Sequence, residues 1–555
     1  MSIPSPLPDF LTASGLPARW QGRERLVVLD LGPGAAARFE VLRAAWCADP
    51  LRCERLIVLA LDGPDSTDHA DGRVQWMRLS GEPETALRGV QAQVDAFWLG
   101  EALAVSDDLL KRLHRLAAPA ATLWSARPDT DWHTRFPPRY IPPRPAAFRP
   151  PHQGPREALV IGAGLAGCAA AWALARQGWY TTLLDRQAAP AQETSGNPGG
   201  LMHGTFNAPD SLHARWFRAA SLLTARLARP AIASGAVAGD LSGLVRLENR
   251  IDAAQAAAQL AQVGLSAEYV LWISIDEARA CTGLPVESGG WFYTQAGWLS
   301  PSDWSRWLLA QAVSAGLAQF RGQMAVEALR RSPAGGWQAL DSRGRVLAEA
   351  PIVVLANAHT VDHLLSPHSA TTTALQAVRG QTTLLGADTP GLCPPRRALS
   401  GQGYGLTLPD GRVLTGATSR SDDLDGTLRA ADQQRNLERA ARLGICPAAL
   451  ASPMALPVTG RVGWRATTPD RLPLIGPPVD RDACDAARLN GRIRLDKLRH
   501  LPRCQGADHG LFVFAGLGSR GITSAALGAQ VLAAWVSGAP FPVEAALRDA
   551  LDPAR

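Results

Sequence analysis

The stretch ALVIGAGLAGCAAAWALA, residues 158–175, runs for eighteen residues without a charge. Its length alone would allow a marginal transmembrane helix. Its internal order argues otherwise. Leu159-Val160-Ile161 is a short β-type run, and Gly162, Gly164 and Gly167 follow in G-x-G-x-x-G register. Ala169 to Ala175 reads as a helix of small residues stopped by Gln177-Gly178, and a second β run, Tyr180 to Leu184, ends at Asp185. Strand, tight turn, helix, strand and terminal acid is the order of a dinucleotide-binding βαβ unit. The first glycine permits the turn, the second lets backbone approach a pyrophosphate, and the third lets the helix pack closely on the strand. The helix N-terminus offers unpaired N–H groups to the phosphates, and Asp185 stands where an acid takes a ribose diol. A buried helical hairpin in an alanine-rich protein would share the apolar run but not the closing acid.

A chain of 555 residues exceeds one core, so two or three domains are expected. Hydrophobic residues make up 46%, which fits a packed globular protein. The net charge is +6, and Lys111 and Lys497 are the only lysines, so the positive charge is arginine. Arginine suits bidentate phosphate contacts and a mild basic excess fits a polyanion, although an arginine-for-lysine coding bias gives the same charge. Eight cysteines form no C-x-x-C pair and no short cluster with histidine. Reduced thiols, no metal site and a cytoplasmic protein are expected. MSIPSPLPDF carries no secretory signal, and no segment has the length and apolarity for a membrane span. Oligomeric state leaves no signal.

The expected fold class is α/β in two units. Residues 136–155, FPPRYIPPRPAAFRPPHQGP, are too rich in proline to sustain a helix. A linker over 136–156 therefore separates residues 1–135 from residues 157–555. In the first unit, RLVVLDLGPGAAARFEVLRAAW (25–46) again reads strand, glycine turn, helix, with Asp30, Gly32 and Gly34 in D-x-G-x-G order. That order opens many S-adenosylmethionine-binding sheets, but Ala36 stands where a third glycine is expected. The next strand runs to Asp62, and VDAFWLG (94–100) is a further strand. In the second unit VVLAN (353–357), VLTGAT (413–418) and GLFVFAGLG (510–518) are dispersed β runs, as in a mixed sheet reached from both ends.

On these residues the second unit resembles a flavoprotein of the glycine oxidase or D-amino-acid oxidase type. The whole chain resembles the bifunctional tRNA 5-methylaminomethyl-2-thiouridine biosynthesis family. The resemblance is carried by GLPARW (15–20), CERLIVLALD (53–62), DGRVQWMRLSGE (71–82), TSGNPGGLM (194–202) and GGWFYTQAGWLSP (289–301). VRGQTT (378–383), TGATSRSDD (415–423), RVGWRATTPDRLPLIG (461–476) and FAGLGSRGITSAALGAQVLAAW (514–535) continue the set in order. It implies a Rossmann-type FAD-binding domain with a mixed-sheet substrate subdomain, preceded by a degenerate Rossmann-like methyltransferase domain. It also implies tRNA as partner and oxidation of a carboxymethylaminomethyl wobble uridine, which releases glyoxylate and leaves the aminomethyl uridine. A partner unit would then methylate that amine with S-adenosylmethionine.

Gly162, Gly164, Gly167 and Asp185 are expected at the adenosine and pyrophosphate end of FAD. Ser195, Gly196 and Asn197 resemble the loop beside the flavin. Gly516, Gly518, Ser519, Arg520 and Gly521 form a second glycine-rich turn whose N–H groups can meet the isoalloxazine or a phosphate. Amine oxidation at a flavin needs an oriented substrate more than protein acids. Arg465 is the expected carboxylate anchor because a guanidinium matches a planar carboxylate, with an ion pair to Asp470 as the plainer role. Tyr293 and Trp298 are expected at the pocket wall, Trp464 is a stacking candidate for the extruded base, and His203 and His359 are single histidines near the flavin loops. RLNGRIRLDKLRHLPR (488–503) is a candidate polyanion surface.

The first unit departs from the family. LGPGAAARFE replaces a glycine-rich loop, LGEALAVS (99–106) lacks an aspartate near the reacting amine, with Glu101 out of register, and GPDSTDHA (63–70) is a short link. Methylation is expected to be lost or impaired, and S-adenosylmethionine is a doubtful cofactor. Two other functions fit parts of the pattern: a free glycine, sarcosine or D-amino-acid oxidase, and a tRNA-binding scaffold without chemistry.

Overall fold

The computed structural model describes residues 11, 15–61, 67–69, 72–100, 103–125, 136, 154–333, 335–447, 458–489, 498, 501–504 and 510–555. The chain forms two compact units: residues 1–149 with 538–548, and residues 150–537 with 549–555. The division drawn from sequence leaves 538–548 with the second unit. In the structure this segment joins the first, where Ala539 enters the core and the Phe541 N–H donates to the Gln91 carbonyl at 3.1 Å.

In the first unit the sheet runs Thr67–His69, Val74–Arg78, Arg55–Ala60, Arg25–Asp30, Val94–Leu99, Ala117–Ser125 from edge to edge. All pairs are parallel except that of Thr67–His69. The central strands Arg25–Asp30 and Arg55–Ala60 are buried on both faces, as parallel strands require. Leu26 and Val28 pack with Phe39, Leu42 and Trp46 of the helix Ala35–Ala48. The alternate residues Val27 and Leu29 share a cluster with Leu109 and Leu113 of the helix Asp107–Leu116. The order reverses between Arg25–Asp30 and Val94–Leu99, which makes the ends of these strands the topological switch point. No helix lies between Arg55–Ala60 and Val74–Arg78 among the described residues. Asp62, Glu101 and nearly all of the 136–156 linker fall outside the described residues.

In the second unit the dinucleotide sheet runs Ala318–Arg321, Tyr180–Leu184, Glu157–Ile161, Ile352–Leu355, Leu511–Ala515, Leu474–Gly476. Only the last pair is antiparallel. The helix Leu165–Arg176 is buried from Leu165 to Ala175 between the helices Pro301–Ser314 and Gly521–Ser537. Its alanines and glycine permit that close approach, which explains an apolar run long enough to mimic a membrane span. No helix among the described residues is long and apolar enough to cross a membrane. A nine-stranded mixed sheet forms the rest of the wall. In it Gln376–Leu385 and Val458–Thr467 pair antiparallel over their full length, setting Val378 opposite Arg465 and Arg379 opposite Trp464.

Candidate flavin and substrate site

The turn after Glu157–Ile161 is set by two glycines. Gly162 has φ +102°, and a Cβ there would stand 2.6 Å from the Ala356 carbonyl oxygen. A Cβ on Gly167 would stand 1.7 Å from the Gly162 carbonyl oxygen, so any side chain would force the helix off the turn. Asp185 accepts from the Ala163 N–H at 2.6 Å and from the Gln187 N–H at 2.8 Å, fixing the acid beside the turn. The Leu165 N–H, at the helix start, donates to Ser195 Oγ at 3.1 Å.

That serine begins a connection to the substrate side. Thr194 Oγ1 donates to the Trp464 carbonyl at 2.8 Å and accepts from the Trp464 N–H at 2.9 Å. Arg461 donates to the Glu193 carbonyl at 2.7 Å. The loop 192–197 thus ties the helix N-terminus to the strand Val458–Thr467, which carries Arg465.

A cavity of about 390 Å³ extends from this N-terminus to the second glycine turn. Gly164, Ser195, Asn197, Gly516, Gly518, Ser519, Arg520, Gly521 and Arg465 line it. Gly162, Gly167, Asp185 and Gly196 shape the surrounding backbone without lining it. Tyr293 also lies outside the lining, in the core cluster with Tyr269 and Trp298, with its ring centroid 5.6 Å from that of His203. The apolar register that makes its strand a good pocket wall buries it instead. Trp298 lies in the same core.

Arg465 lines the cavity from the strand Val458–Thr467. It donates to the Thr418 carbonyl at 3.1 Å and has no carboxylate within ion-pair distance among the described residues. Asp470, the partner in the plainer alternative, pairs instead with Arg555 at 2.7 and 2.9 Å. Burial pushes the Arg465 guanidinium below its ordinary value. Tyr404, which sequence reasoning missed, lines the same cavity, and burial pushes its phenol up to about 12 against the opposing influence of Arg465. A lone tyrosine in GYGLT gives no local signal of its role.

Arg520 donates to the His203 carbonyl at 3.2 Å and lies 4.9 Å from the Phe217 ring. His203 faces the cavity. Burial, then the nearby Arg520 charge, push its imidazole down to about 3. Its Nδ1 lies 2.7 Å from the Gly204 carbonyl, so the neutral ring carries its proton on Nδ1 and its lone pair on Nε2. Trp464 lines the cavity with its indole N–H donated to the Asp423 carbonyl at 2.8 Å. His359 follows Ala358, a cavity residue, but does not line the cavity. Most of the 488–503 stretch falls outside the described residues. Its Arg503 is buried in a two-point ion pair with Asp552 at 2.7 and 2.8 Å, and so is not a surface cation. Among the described residues no cluster of His, Cys, Asp or Glu could hold a metal.

Residues 157–535 match the family model of FAD dependent oxidoreductases, which defines the class of the second unit. A tRNA 5-methylaminomethyl-2-thiouridine biosynthesis bifunctional protein from Methylibium petroleiphilum is 44% identical over 98% of this chain and 92% of its own length. The protein of that name from Paraburkholderia phytofirmans is 34% identical over the same shares, 98% and 92%. The chain belongs to the family of tRNA 5-methylaminomethyl-2-thiouridine biosynthesis bifunctional proteins. The first alignment spans 614 positions against a chain of 555, so that relative carries segments this chain lacks. Glycine oxidase from Geobacillus kaustophilus superposes with a TM-score of 0.54 and 21% identity over 69% of this chain and 94% of that structure, a likeness of fold.

The residues present fit FAD. The Gly162–Gly167 cradle admits backbone approach, the helix start and Ser195 line the cavity, and the cavity continues to the second glycine turn. Gly162, Gly164, Gly167 and Asp185 would hold the adenosine diphosphate half, and residues 195–197 and 516–521 the flavin half.

Proposed function

We propose that the protein oxidatively removes the carboxymethyl group from 5-carboxymethylaminomethyl-(2-thio)uridine at the tRNA wobble position, leaving 5-aminomethyl-(2-thio)uridine. The observation that carries this reading is Arg465, a guanidinium in the cavity with a neutral carbonyl for a partner and, among the described residues, no carboxylate. A half-buried cation in that state favours an anion, and its planar fork suits the carboxylate of the substrate. Anchoring that carboxylate fixes the adjacent methylene. When bound, FAD would supply the oxidant here, a two-electron acceptor for the hydride of this carbon.

With loss of the amine proton, the carbon–nitrogen bond becomes an imine. Water adds to that carbon, the bond to nitrogen breaks, and glyoxylate leaves with the primary amine remaining on the uridine. The reactive amine is neutral, and the cations Arg465 and Arg520 disfavour its protonated form. Burial keeps His203 neutral at pH 7, so its ring adds no positive charge beside the amine. The first unit, a shortened methyltransferase-like domain, adds no methyl group. Tyr293 supports the site from behind His203.

The test uses tRNA bearing the carboxymethylaminomethyl uridine, digested after reaction and read by nucleoside mass spectrometry with and without S-adenosylmethionine. The aminomethyl nucleoside is expected in both samples. Unchanged tRNA from a flavin-loaded protein would overturn the tRNA reading in favour of a small-molecule amine oxidase.

A further inference from the structure

In an open α/β sheet the ligand crevice lies beyond the carboxyl ends of the strands at the switch point. In the first unit that point is the end of Arg25–Asp30 beside the end of Val94–Leu99. Asp30 projects there, 4% exposed. Its Oδ1 accepts from the Arg38 guanidinium at 2.7 Å and its Oδ2 from Arg38 Nε at 2.8 Å. The same guanidinium donates to the Pro33 and Gly32 carbonyls, each at 2.8 Å. It lies 4.8 Å from the Trp98 ring, which stacks on Trp124 at 3.6 Å. The loop leaves little space around it. A Cβ on Gly32 would stand 2.8 Å from both Arg38 and the Trp98 indole nitrogen, and one on Gly100 would stand 2.8 Å from Gly32 and Pro33.

We infer that Arg38 is a built-in ligand of this crevice, occupying the place of S-adenosylmethionine. The cofactor presents an ammonium and a sulfonium, cations that an acid at this strand end would hold. Asp30 is already held by a cation in two-point geometry, and the guanidinium covers the carbonyls that line the turn. Removing it would expose a buried carboxylate, so displacement is costly. The inference rests on the proposed oxidase reading for its consequence: the aminomethyl product leaves as a primary amine. A separate enzyme must consume it by moving a methyl group from a sulfonium donor to the nitrogen, with release of a proton.

The experiment is equilibrium dialysis of labelled S-adenosylmethionine against the full-length, flavin-loaded protein, as wild type and as Arg38→Ala and Arg38→Gln. The glutamine variant keeps most of the side-chain volume and covers the case in which the alanine variant does not fold. No saturable binding is expected for the wild type, and at least about tenfold tighter binding for a folded variant, equivalent to about 1.4 kcal/mol. Hydrogen exchange of residues 30–38 in the wild type should be unchanged by the cofactor. Saturable binding to the wild type, or variants that bind no better than it does, would overturn the assignment. Oxidation of tRNA is read in the same preparations. Its absence would defeat the proposed function whatever the dialysis shows, and its presence leaves the Arg38 question to the dialysis.

Discussion

The two units open with the same grammar and use it to opposite ends. Each has a strand, a glycine turn and a helix whose N-cap is a glycine, Gly34 in the first unit and Gly164 in the second. The fourth helical residue is Arg38 in one and Cys168 in the other. Cys168 is small, and its thiol lies 3.4 Å from the Ala163 carbonyl beneath the turn. Arg38 is long and cationic and folds back over the turn onto Asp30. In the second unit a cavity begins at the helix start, while in the first the side chain sits there. A glycine motif therefore fixes a backbone shape, and whether a nucleotide enters depends on side chains the motif does not specify.

The contrast can be broken most severely at the open turn. Gly167→Ala drives a methyl group into the Gly162 carbonyl, and a cost of about 3 kcal/mol or more is expected, with the protein purified colourless. Retained flavin absorbance would show that the cradle is looser than its geometry. Next in size is Arg465→Met. Loss of the anchoring cation should lower kcat/KM for modified tRNA by about 100-fold, mostly through KM, while the flavin spectrum is kept. A variant that loses flavin instead would place Arg465 in the cofactor site.

The closed turn responds differently. Arg38→Ala should destabilise the first unit by about 1–3 kcal/mol, measured by denaturant melting of the tryptophan signal, without changing flavin content. His203 supplies a smaller, pH-dependent effect. Its folded pKa lies far below the ordinary 6.5, so the unfolded chain binds the extra proton. The associated stability is complete above about pH 6.5 and falls as the pH drops towards 3, by no more than about 1.4 kcal/mol per unit. His203→Gln should flatten that slope in melts between pH 4 and pH 6.5, and an unchanged slope would remove His203 as its source. The smallest effect is expected at Tyr293→Phe. Outside the cavity lining, its hydroxyl should change kcat/KM by less than about threefold, against the 100-fold at Arg465, under the usual scale for a structural hydroxyl.

What was legible in the sequence was what short-range backbone physics dictates. Gly162, Gly164 and Gly167 announce a turn because only residues without a side chain fit it, and Asp185 closes the unit at a fixed distance. Arg465 is legible through the match of a guanidinium to a planar carboxylate, but no spacing in the sequence says which acids it will meet. Tyr404 was silent because its role depends on pairing its strand with partners distant in the chain. Tyr293 misled because alternation places it on an inner face without saying whether that face meets core or cavity. Nothing in the sequence singles out Arg38 from the other arginines. Its pairing with Asp30 needs the turn at Gly32 to bring the two together, and among the described residues Asp185 has no such ion pair.

The segment 538–548 has a further consequence, one of timing. The first unit needs Ala539 in its core, and Arg548 donates to the Gln91 side chain at 3.0 Å. During synthesis, the ribosome makes residues 1–149, then residues 150–537 of the flavoprotein portion, and only then the piece that completes the beginning. At about 5–20 residues per second the opening sheet waits tens of seconds for its last element. A chaperone would meet the nascent chain with its earliest portion unfinished and its middle already able to fold. Cleavage within the 136–156 connection would therefore yield two fragments that still share one of the folded units between them.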